Sequence, residues 1–340
     1  MSTEPAPFVT IIVPVYNGER YLRDSLDSII AQTYTNLEIL VMDDASNDES
    51  PGIIASCGDK IKSYRQLKNV GQFANVNSGI SRAGGEYIAV YHADDIYDPK
   101  IVETEVKYLQ NYPEAGAVFC KDIFIGADGH EYNRLKINES IKTGSPLSYP
   151  DVLNAMLTFK NVFLVGPTAM VRSSVYQDVG TYQGDEFHIA SDLEMWMRIA
   201  KKYPVLVIDE YLHQYRHDHG NLSQNYYHLR TEAEIHFRIM DMHLGEGGNK
   251  LATPEAIAAH EAHRNEDLLM VAINHYIKND RQNARKCLQR IRILDLIGSS
   301  RIQRWRLLIL LLMMRVLVHL PYNAWISDVF YKHWHGNKTK

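Results

Sequence analysis

Short apolar runs alternate with amphipathic patterns along the first 122 residues. The apolar runs are rich in β-branched and aromatic residues, which predicts strands at Phe8–Val15, Leu37–Met42, Ile61–Leu67, Tyr87–Tyr91 and Ala117–Cys120. Between them, apolar residues three and four positions apart predict helices at Tyr21–Ala31, Phe73–Ser81 and Pro99–Tyr112. This alternation predicts an α/β fold with a largely parallel, doubly wound sheet that binds ligands at the carboxyl ends of its strands.

Beyond residue 122 the pattern becomes less regular, because glycine and proline mark turns throughout residues 123–166. The elements predicted next are a strand at Thr168–Arg172, a helix at Ser191–Lys202, and strands at Val205–Ile208 and Tyr211–Arg216. After about residue 225, helical periodicity appears in residues 228–244, 253–277 and 281–297. We therefore expect an α/β domain over residues 1–224 and a helical C-terminal region over residues 225–340.

Charge is distributed unevenly between these regions. Residues 281–340 hold twelve Lys/Arg and two Asp/Glu, a net charge of +10, which leaves −15 for residues 1–280 out of a total of −5. The negative total argues against general binding of nucleic acid. The basic end of the chain instead predicts contact with an anionic surface.

The basic segment also contains an apolar run, Leu307–Met314, which is far shorter than the roughly 20 residues needed to span a bilayer. Arginines flank this run, and Trp305 and Trp325 lie nearby in the sequence. Such a combination is typical of a helix that lies in the interface of an anionic membrane. A buried helix of a C-terminal bundle is the alternative interpretation.

Cysteine usage and the N-terminus bear on the compartment. The three cysteines, Cys57, Cys120 and Cys287, are far apart and form no CxxC pair, which is usual in a reducing compartment. The first residues lack the basic segment of a signal peptide and run directly into a strand. We expect a cytoplasmic protein, either free or bound peripherally to the inner face of the cell membrane.

The strand Tyr87–Tyr91 ends abruptly in His92-Ala93-Asp94-Asp95. Two adjacent carboxylates at the end of a buried strand repel each other and resist desolvation. A divalent cation relieves both effects, and oxygen ligands suit Mg²⁺ or Mn²⁺. The motif therefore predicts a metal site, although two acids in a solvated turn are the alternative if the motif is taken alone.

Four segments considered together resemble the family 2 inverting glycosyltransferases of GT-A fold. They occur in the family's order at Thr10–Asn17, Glu38–Asp48, Gly84–Asp95 and Ser191–Arg198. The resemblance covers residues 8 to about 224 and implies a Rossmann-like mixed sheet of the kind found in nucleotide-diphospho-sugar transferases. It also implies transfer of a sugar from a UDP- or dTDP-sugar to a hydroxyl of a saccharide or lipid-linked saccharide. Mn²⁺ or Mg²⁺ would assist, and biosynthesis of a bacterial surface polysaccharide is the implied pathway.

The resemblance assigns nucleotide binding to Pro14, Tyr16, Asn17, Asp44 and Asp94. Tyr16 follows the first strand and can offer its ring face and hydroxyl to a nucleobase. Asp44 follows the second strand, where a carboxylate can accept the N3–H of uracil or thymine. The alternatives are packing at the edge of the core for Tyr16 and capping of a turn for Asp44.

The same resemblance makes Asp95 the metal ligand. The commonest form of the family motif is Asp-X-Asp-Asp, and here His92 replaces the first acid, so its role stays open. His217 and His219 lie on either side of the position at which the family has a histidine that approaches the metal or the diphosphate. Both are candidate metal ligands, and a solvated loop is the alternative.

Asp192 resembles the family's general base, which takes the proton of the acceptor hydroxyl. Its place in the first turn of a helix should keep it ionised. The alternative is helix capping, since Ser191 and Glu194 form a capping-box pattern. We expect residues 123–166 and 181–190 to line the acceptor side.

Two other functions were weighed against this one. A dinucleotide-dependent dehydrogenase requires G-x-G-x-x-G after the first strand, and Pro14-Val15-Tyr16-Asn17-Gly18 does not match it. A catalytically silent member of the family, acting as a saccharide-binding or scaffold protein, is the second. The presence of Asp44, Asp94, Asp95 and Asp192 argues against that alternative.

Overall fold

A mixed sheet forms the centre of the first part of the chain, and the computed structural model describes residues 6–217, 228–293 and 304–335. The strands are β1 (Val9–Val15), β2 (Leu37–Asp43), β3 (Lys62–Arg65), β4 (Tyr87–Val90), β5 (Ile96–Tyr97), β6 (Ala117–Ile125), β7 (Glu131–Arg134), β8 (Met170–Arg172) and β9 (Val205–Arg216). Their order in the sheet is β3-β2-β1-β4-β8-β6-β9-β5, and β7 pairs with β6. The predicted α/β fold with a mixed sheet is confirmed.

Helices cover the sheet wherever the sequence has an amphipathic pattern. They are α1 (Leu22–Ile30), α2 (Ser50–Ser56), α3 (Gln72–Ile80), α4 (Ile101–Asn111), α5 (Tyr149–Phe159), α6 (Ser173–Val179), α7 (Gly184–Phe187) and α8 (Ser191–Ala200). In α1, for example, Leu22, Leu26 and Ile29 recur at helical spacing and are all fully buried. The helices between β1 and β4 connect parallel strands, which require such crossovers.

Strand β1 lies near the middle of the sheet, parallel to β2 on one side and to β4 on the other. Its sequence, VTIIVPV, is almost continuously apolar, and Ile11 and Val13 are completely buried. A strand covered on both faces has this composition, because neither side of the pleat reaches water.

One strand reverses the direction of the sheet. β8 runs antiparallel to both β4 and β6, so β6 and its parallel neighbour β9 run in the same direction as β4. The start of β8 therefore lies beside the end of β4, where the N–H of Val90 donates to the carbonyl of Ala169 at 3.3 Å. The loops that follow β1, β2, β4 and β6, the end of β9 and the turn before β8 consequently lie at one edge, which we call the carboxyl edge.

Two stretches differ from the sequence prediction. Residues 205–216 form one strand instead of two, because β9 continues through a bulge at which Asp209 and Glu210 are exposed. The irregular region 123–166 contains the end of β6, strand β7 and helix α5. Gly126, Gly129, Gly144 and Pro146 lie in the connections between these elements, and Pro150 lies in the first turn of α5.

The chain divides into two compact units. The first comprises Met1–Leu153 and Asn161–His219, and the second comprises Asn154–Lys160 and Gly220–Lys340. The division passes through α5, which sequence periodicity gives no means of foreseeing. The predicted domain boundary, between residues 224 and 225, lies outside the described residues.

The described residues of the second unit are mainly helical, as the periodicity predicts. The helices are α9 (Ile235–Gly245), α10 (Pro254–Ile277), α11 (Arg281–Arg290), α12 (Arg304–Leu317) and α13 (Ala324–Trp334). Buried side chains from the last four of these, among them Leu269, Leu288 and Phe330, form one apolar core. Within the described ranges, no helix combines the length and the apolar character needed to cross a bilayer.

The Gly84-Gly85 pair before β4 provides a test of this packing. A Cβ on Gly85 would lie 2.5 Å from the backbone nitrogen of Thr10, whereas a Cβ on Gly84 would meet only side-chain atoms, at 3.4 Å. We expect Gly85→Ala to lower the free energy of unfolding by about 2–3 kcal/mol, because the backbone of β1 must shift.

Gly84→Ala is the matched control, and it should change stability by less than about 1 kcal/mol, since the facing side chains can adjust. Urea denaturation of the two variants measures the difference. Equal effects from the two substitutions would show that the close approach of Gly85 to β1 is not a constraint.

Candidate active site at the carboxyl edge of the sheet

The loops that follow β1 and β2 are fastened to each other. The N–H of Asn17 donates to Oγ of Ser46 at 3.0 Å, and the N–H of Asn47 donates to Oδ1 of Asn17 at 2.9 Å. Asn17 adopts a positive φ of 51°, which asparagine tolerates better than most residues. The preceding Tyr16 is 52% exposed, so its ring is accessible to a ligand and is not part of the core. Pro14 lies partly buried within β1, opposite Met42 of β2.

Asp44 is almost completely buried at the end of β2. Its carboxylate accepts the N–H groups of Val70, at 2.7 Å, and Gly71, at 2.9 Å, and so holds the loop that precedes α3. This resembles the capping role that sequence alone offers as the alternative. A carboxylate has about four acceptor directions, so two remain for another donor.

Three side chains at the end of β4 form a cluster able to hold a metal ion. The ligand atoms of His92, Asp94 and Asp95 all lie within 4.8 Å of one another. Oδ1 of Asp95 accepts the backbone N–H of Arg216 at 2.7 Å. Oδ2 of Asp95 is buried, and imidazole nitrogens lie near it: Nε2 of His213 at 3.2 Å and Nδ1 of His92 at 3.9 Å. The two carboxylates and the imidazole of the cluster, within reach of one point, fit a divalent cation such as Mn²⁺.

The electrostatics of this cluster also favour a cation. Burial, together with the charge of the neighbouring Asp95, raises the pKa of Asp94 to about 6. The two adjacent carboxylates therefore repel each other in the folded protein, as the sequence predicts. His92, whose role the sequence left open, lies with its Nδ1 3.9 Å from Oδ2 of Asp95 and joins the cluster.

A second histidine, which sequence analysis missed, lies beneath the cluster. His213 of β9 is completely buried, with Nδ1 2.9 Å from Oδ1 of Asp122 and Nε2 3.2 Å from Oδ2 of Asp95. Burial alone would lower the pKa of His213, but the charges of Asp95 and Asp122 outweigh it and raise that pKa to about 10. His213 is therefore a cation between two buried carboxylates. In the sequence His213 is one of several polar residues of β9, and nothing in the pattern indicates that it is buried or which residues it contacts.

Arg216 fixes the loop that carries the acids. Besides the backbone bond to Asp95, its Nε donates to the carbonyl of Asp94 at 2.9 Å. Its guanidinium also lies 4.4 Å from the ring centre of Tyr21. Arg216 is thus a positioning residue for both carboxylates.

The two histidines that follow Arg216 differ in what the structure describes. His217 is exposed, its N–H donates to the carbonyl of Ile125 at 2.8 Å, and its ring lies 6.3 Å from that of Tyr132. It is not one of the three described side chains that form the cluster. His219 lies outside the described residues. The metal-binding role of both histidines stays a prediction.

Aromatic residues support the cluster from below. Tyr97 stacks on Tyr91 with ring centres 4.0 Å apart and accepts the N–H of His92 at 2.6 Å. Tyr91 donates to the buried carboxyl of Glu105 at 2.9 Å, and burial raises the pKa of Glu105 well above its usual value. The stacked rings and these hydrogen bonds hold the backbone of the loop after β4 in one position.

Asp192 lies at the start of α8 and faces the turn before β8. A Cβ added to Gly166 would stand 3.0 Å from Oδ2 of Asp192, so the carboxylate packs against Gly166. That turn leads to Ala169, which lies beside Val90 at the end of β4. Asp192 is therefore at the carboxyl edge, on the same edge as Asp94.

Burial and the start of α8 together set the environment of Asp192. Burial raises its pKa to about 6, against the hydrogen bond from the N–H of Leu193, so the carboxyl is still mostly ionised at neutral pH. The capping box is absent: Ser191 Oγ donates to the carbonyl of His188 at 2.7 Å, and Glu194 pairs with Arg198. A carboxylate with a pKa near 6 is well matched to accept a proton at neutral pH.

Comparisons with known proteins point to one family. A sequence model described as Glycosyl transferase family 2 matches residues 10–180. An uncharacterized glycosyltransferase of Haemophilus influenzae is 30% identical over 243 residues, which cover 68% of this chain and 72% of that protein. Another, of Rickettsia prowazekii, is 30% identical over 198 residues, which cover 58% of this chain and only 59% of the relative.

Two solved structures have a similar fold. S. aureus TarS, residues 1–349 in complex with UDP-GlcNAc, gives a TM-score of 0.57 at 17% identity, over 98% of this chain and 93% of that one. The mannosyltransferase PcManGT from Pyrobaculum calidifontis, in complex with GDP-Man and Mn²⁺, gives 0.53 at 18% identity, over 97% and 88%. At these identities the likeness concerns the fold alone.

The buried arrangement of Asp95, His213 and Asp122 can be tested by its energetics. His213→Gln leaves two buried carboxylates facing each other without a cation. We expect the free energy of unfolding to fall by about 3 kcal/mol, as is usual when one member of a buried ion pair is removed. Adding Asp122→Asn should recover about half of that loss, because it removes one uncompensated charge.

Urea denaturation of the single and double variants measures both differences. His130→Gln makes the same exchange at an exposed position of the same unit and should change stability by less than about 0.5 kcal/mol. Losses that simply add, with no recovery in the double variant, would show that His213 does not act through Asp122.

Proposed function

The chain belongs to glycosyl transferase family 2 and has the GT-A fold, and on that basis we propose that it is a metal-dependent inverting glycosyltransferase. It would move a sugar from a UDP- or dTDP-sugar to a hydroxyl of a saccharide or lipid-linked saccharide. One observation carries this proposal: the cluster of His92, Asp94 and Asp95 and the separate carboxylate of Asp192 lie on the same edge of the sheet. The proposed chemistry needs one set of side chains to hold the metal that neutralises the leaving diphosphate. It also needs a separate carboxylate to accept the proton of the attacking hydroxyl.

The proposed donor site lies between the loops after β1, β2 and β4. Tyr16 can stack on a nucleobase, and Asp44, which can only accept hydrogen bonds when ionised, suits the N3–H of uracil or thymine. Solved neighbours have been crystallised with a uridine and with a guanosine nucleotide sugar. The pyrimidine donor proposed for this chain comes from the resemblance to the family, and the carboxylate of Asp44 is compatible with it.

The proposed metal ligand is Asp95, with Asp94 and His92 beside it. A bound Mn²⁺ or Mg²⁺ would neutralise charge on the diphosphate and stabilise it as a leaving group. Arg216 and the stacked pair Tyr91 and Tyr97 hold the loop that carries these side chains in place before a metal or a donor binds. A preorganised site of this kind does not spend binding energy on rearrangement.

Asp192 is the proposed general base. Its carboxylate would accept the proton of the acceptor hydroxyl while that oxygen bonds to the anomeric carbon and the bond to the diphosphate breaks on the opposite side. The product therefore has the inverted configuration. The half-buried position of Asp192 excludes part of the water that would otherwise compete with the acceptor.

The acceptor would approach from residues 181–190, which lead directly into Asp192. This loop includes a non-glycine residue of positive φ, His188, at 45°, and strained backbone of this kind is common beside functional sites. The proposed setting is the biosynthesis of a bacterial surface polysaccharide in the cytoplasm, at the inner face of the membrane. A saccharide carried on a lipid would be reached there.

The metal site is tested through nucleotide binding. Asp95→Asn keeps the shape of the side chain and its bond from Arg216 but removes the charge, so Mn²⁺-dependent binding of UDP or dTDP should weaken by about a hundredfold or more. Asp59→Ala removes an exposed acid from the same unit and is the control. Unchanged Mn²⁺-dependent affinity in calorimetry of Asp95→Asn would exclude Asp95 as a ligand.

The general base is tested by comparing binding with turnover. Asp192→Asn should bind the donor normally but transfer the sugar at least about a hundredfold more slowly, because an amide cannot accept the proton. The wild-type kcat/KM should fall below about pH 6, where the pKa of Asp192 lies, since the protonated carboxyl is no longer a base. The part of that acid limb that comes from Asp192 should be missing from the residual activity of the variant, whereas protonation of Asp94, whose pKa is also raised to about 6, should still weaken donor binding.

Thermal unfolding at pH 8 provides the control for Asp192→Asn. Burial raises the pKa of Asp192, so the ionised form is disfavoured in the folded state and removing the charge should leave Tm unchanged or higher. A variant that transfers sugar within a few-fold of wild type would rule Asp192 out. Wild-type protein that binds the donor yet neither hydrolyses nor transfers it would favour a silent saccharide-binding protein.

A further inference from the structure

Helices α12 and α13 expose an apolar surface, here called the apolar face. Six side chains of α12 and the residues that follow it recur at helical spacing and are exposed: Trp305, Ile309, Leu312, Met313, Val316 and Leu320. On α13, Trp325 is 73% exposed, and Val329 follows one turn later. Exposed apolar surface of this extent on a helix usually marks an interaction site.

The opposite side of α12 is packed. Leu311, Met314 and Val318 are buried in the core of the second unit. The bundle interpretation made from the sequence is therefore correct for one side of this helix, and the membrane-interface interpretation stays a prediction for the other. One side belongs to a helical bundle, and the other has no cover among the described residues.

A cavity of about 370 Å³ lies beside the apolar face, lined by Arg285, Leu288, Gln289, Arg315, Val318 and His319. Two arginines line it, and each donates to a backbone carbonyl. Nε of Arg285 donates to the carbonyl of Val318 at 2.9 Å, and Nη2 of Arg315 donates to the carbonyl of Ile291 at 3.1 Å. These bonds fix the guanidinium groups, and within the described ranges neither one pairs with a carboxylate.

The cavity and the apolar face are neighbours on α12. At 100° per residue, Arg315 and His319 lie on the flank of the stripe that runs through Leu312 and Val316. His319 and Gln289 are exposed at the mouth of the cavity, whereas Leu288 and Val318 form its floor. A polar, cationic recess thus borders an apolar surface, as the headgroup and acyl layers of a lipid border each other.

Charge distinguishes between possible occupants of this face. Residues 281–340 carry a net charge of +10, so a symmetric contact with the same surface of a second copy would bring like charges together. An anionic bilayer instead brings opposite charge and an apolar layer together. Helix α12, with 14 residues, is about 21 Å long, which suits a helix that lies in the interface and does not cross it.

We propose that the second unit docks on an anionic phospholipid bilayer. The apolar face of α12 and α13 inserts below the headgroups, and the cavity between Arg285, Arg315 and His319 receives the phosphate of one lipid. This inference goes beyond the proposed transferase activity and does not depend on it. Trp305 and Trp325 would lie at the level of the headgroups.

Flotation of the full chain with vesicles tests the docking. With vesicles containing one third phosphatidylglycerol the protein should float, and with phosphatidylcholine alone it should float at least about tenfold less well. High salt should weaken binding without abolishing it, because apolar burial is not screened. Protein that stays unbound at low salt on the anionic vesicles would overturn the proposal, and so would a stable dimer in sedimentation with no vesicle binding.

The apolar face is tested by Ile309→Ser combined with Leu312→Ser and Val316→Ser. Since these side chains are exposed, the fold should persist, while binding at high salt should fall by about a hundredfold or more. Met242→Ser with Leu251→Ser changes exposed apolar residues elsewhere in the second unit and is the control. Equal loss in both variants, or none in the first, would remove the apolar face from the proposal.

The cavity is tested against general charge attraction. Arg285→Gln with Arg315→Gln and Lys286→Gln with Arg290→Gln remove the same charge, but the second pair lies outside the cavity. A lipid phosphate site requires the first pair to weaken binding at least about fivefold more than the second. Equal weakening would reduce the attraction to diffuse charge and overturn the cavity assignment.

Two further measurements separate the alternatives for the cavity pair. Thermal unfolding of the Gln pair shows whether loss of the guanidinium hydrogen bonds unfolds the second unit. Arg285→Lys with Arg315→Lys keeps the charge and should retain most of the binding to vesicles. Inorganic phosphate at constant ionic strength should not release the protein from vesicles. Complete release by phosphate would assign the cavity to a free anion and overturn the lipid assignment.

Discussion

A buried histidine between two carboxylates is the interaction on which the first unit depends most. Asp95 and Asp122 come from different elements and could not be buried together without a cation, because their repulsion and desolvation would exceed the gain from packing. His213 supplies that charge from β9. The strand must therefore lie between β6 and β5, and in that place the N–H of Arg216 reaches Asp95. This ionic contact thus links the strand order of the sheet to the geometry of the loop after β4.

The sequence was sufficient wherever a feature is local. Strand β1 and strand β4 are nearly continuous apolar runs, and parallel strands must end at a common edge, so the position of Asp44 and Asp94 followed from pattern alone. The role of general base proposed for Asp192 comes instead from the resemblance to a known family, in which Asp192 belongs to the fourth of the four segments. No propensity argument would have distinguished that aspartate from a residue that caps a helix.

The rest depends on contacts between distant residues. Asp122 and His213 face each other because β6 and β9 pair in that register across 91 residues, and no periodicity encodes a register. Burial raises the pKa of Asp192 to about 6, and the position of a residue at a helix start does not reveal how deeply its carboxyl is buried. In the second unit, periodicity marked α12 as apolar but could not distinguish the packed side from the exposed one.

The contact between Arg216 and Asp95 has a consequence for the time at which the site forms during synthesis. The two residues are 121 positions apart, so the acids leave the ribosome long before the strand that fixes them. Until β9 pairs with β6, the loop after β4 has its carboxylates but neither the cation nor the backbone donor that orders them. The proposed donor site would therefore be completed late, when β9, the last strand of the sheet along the chain, pairs with β6.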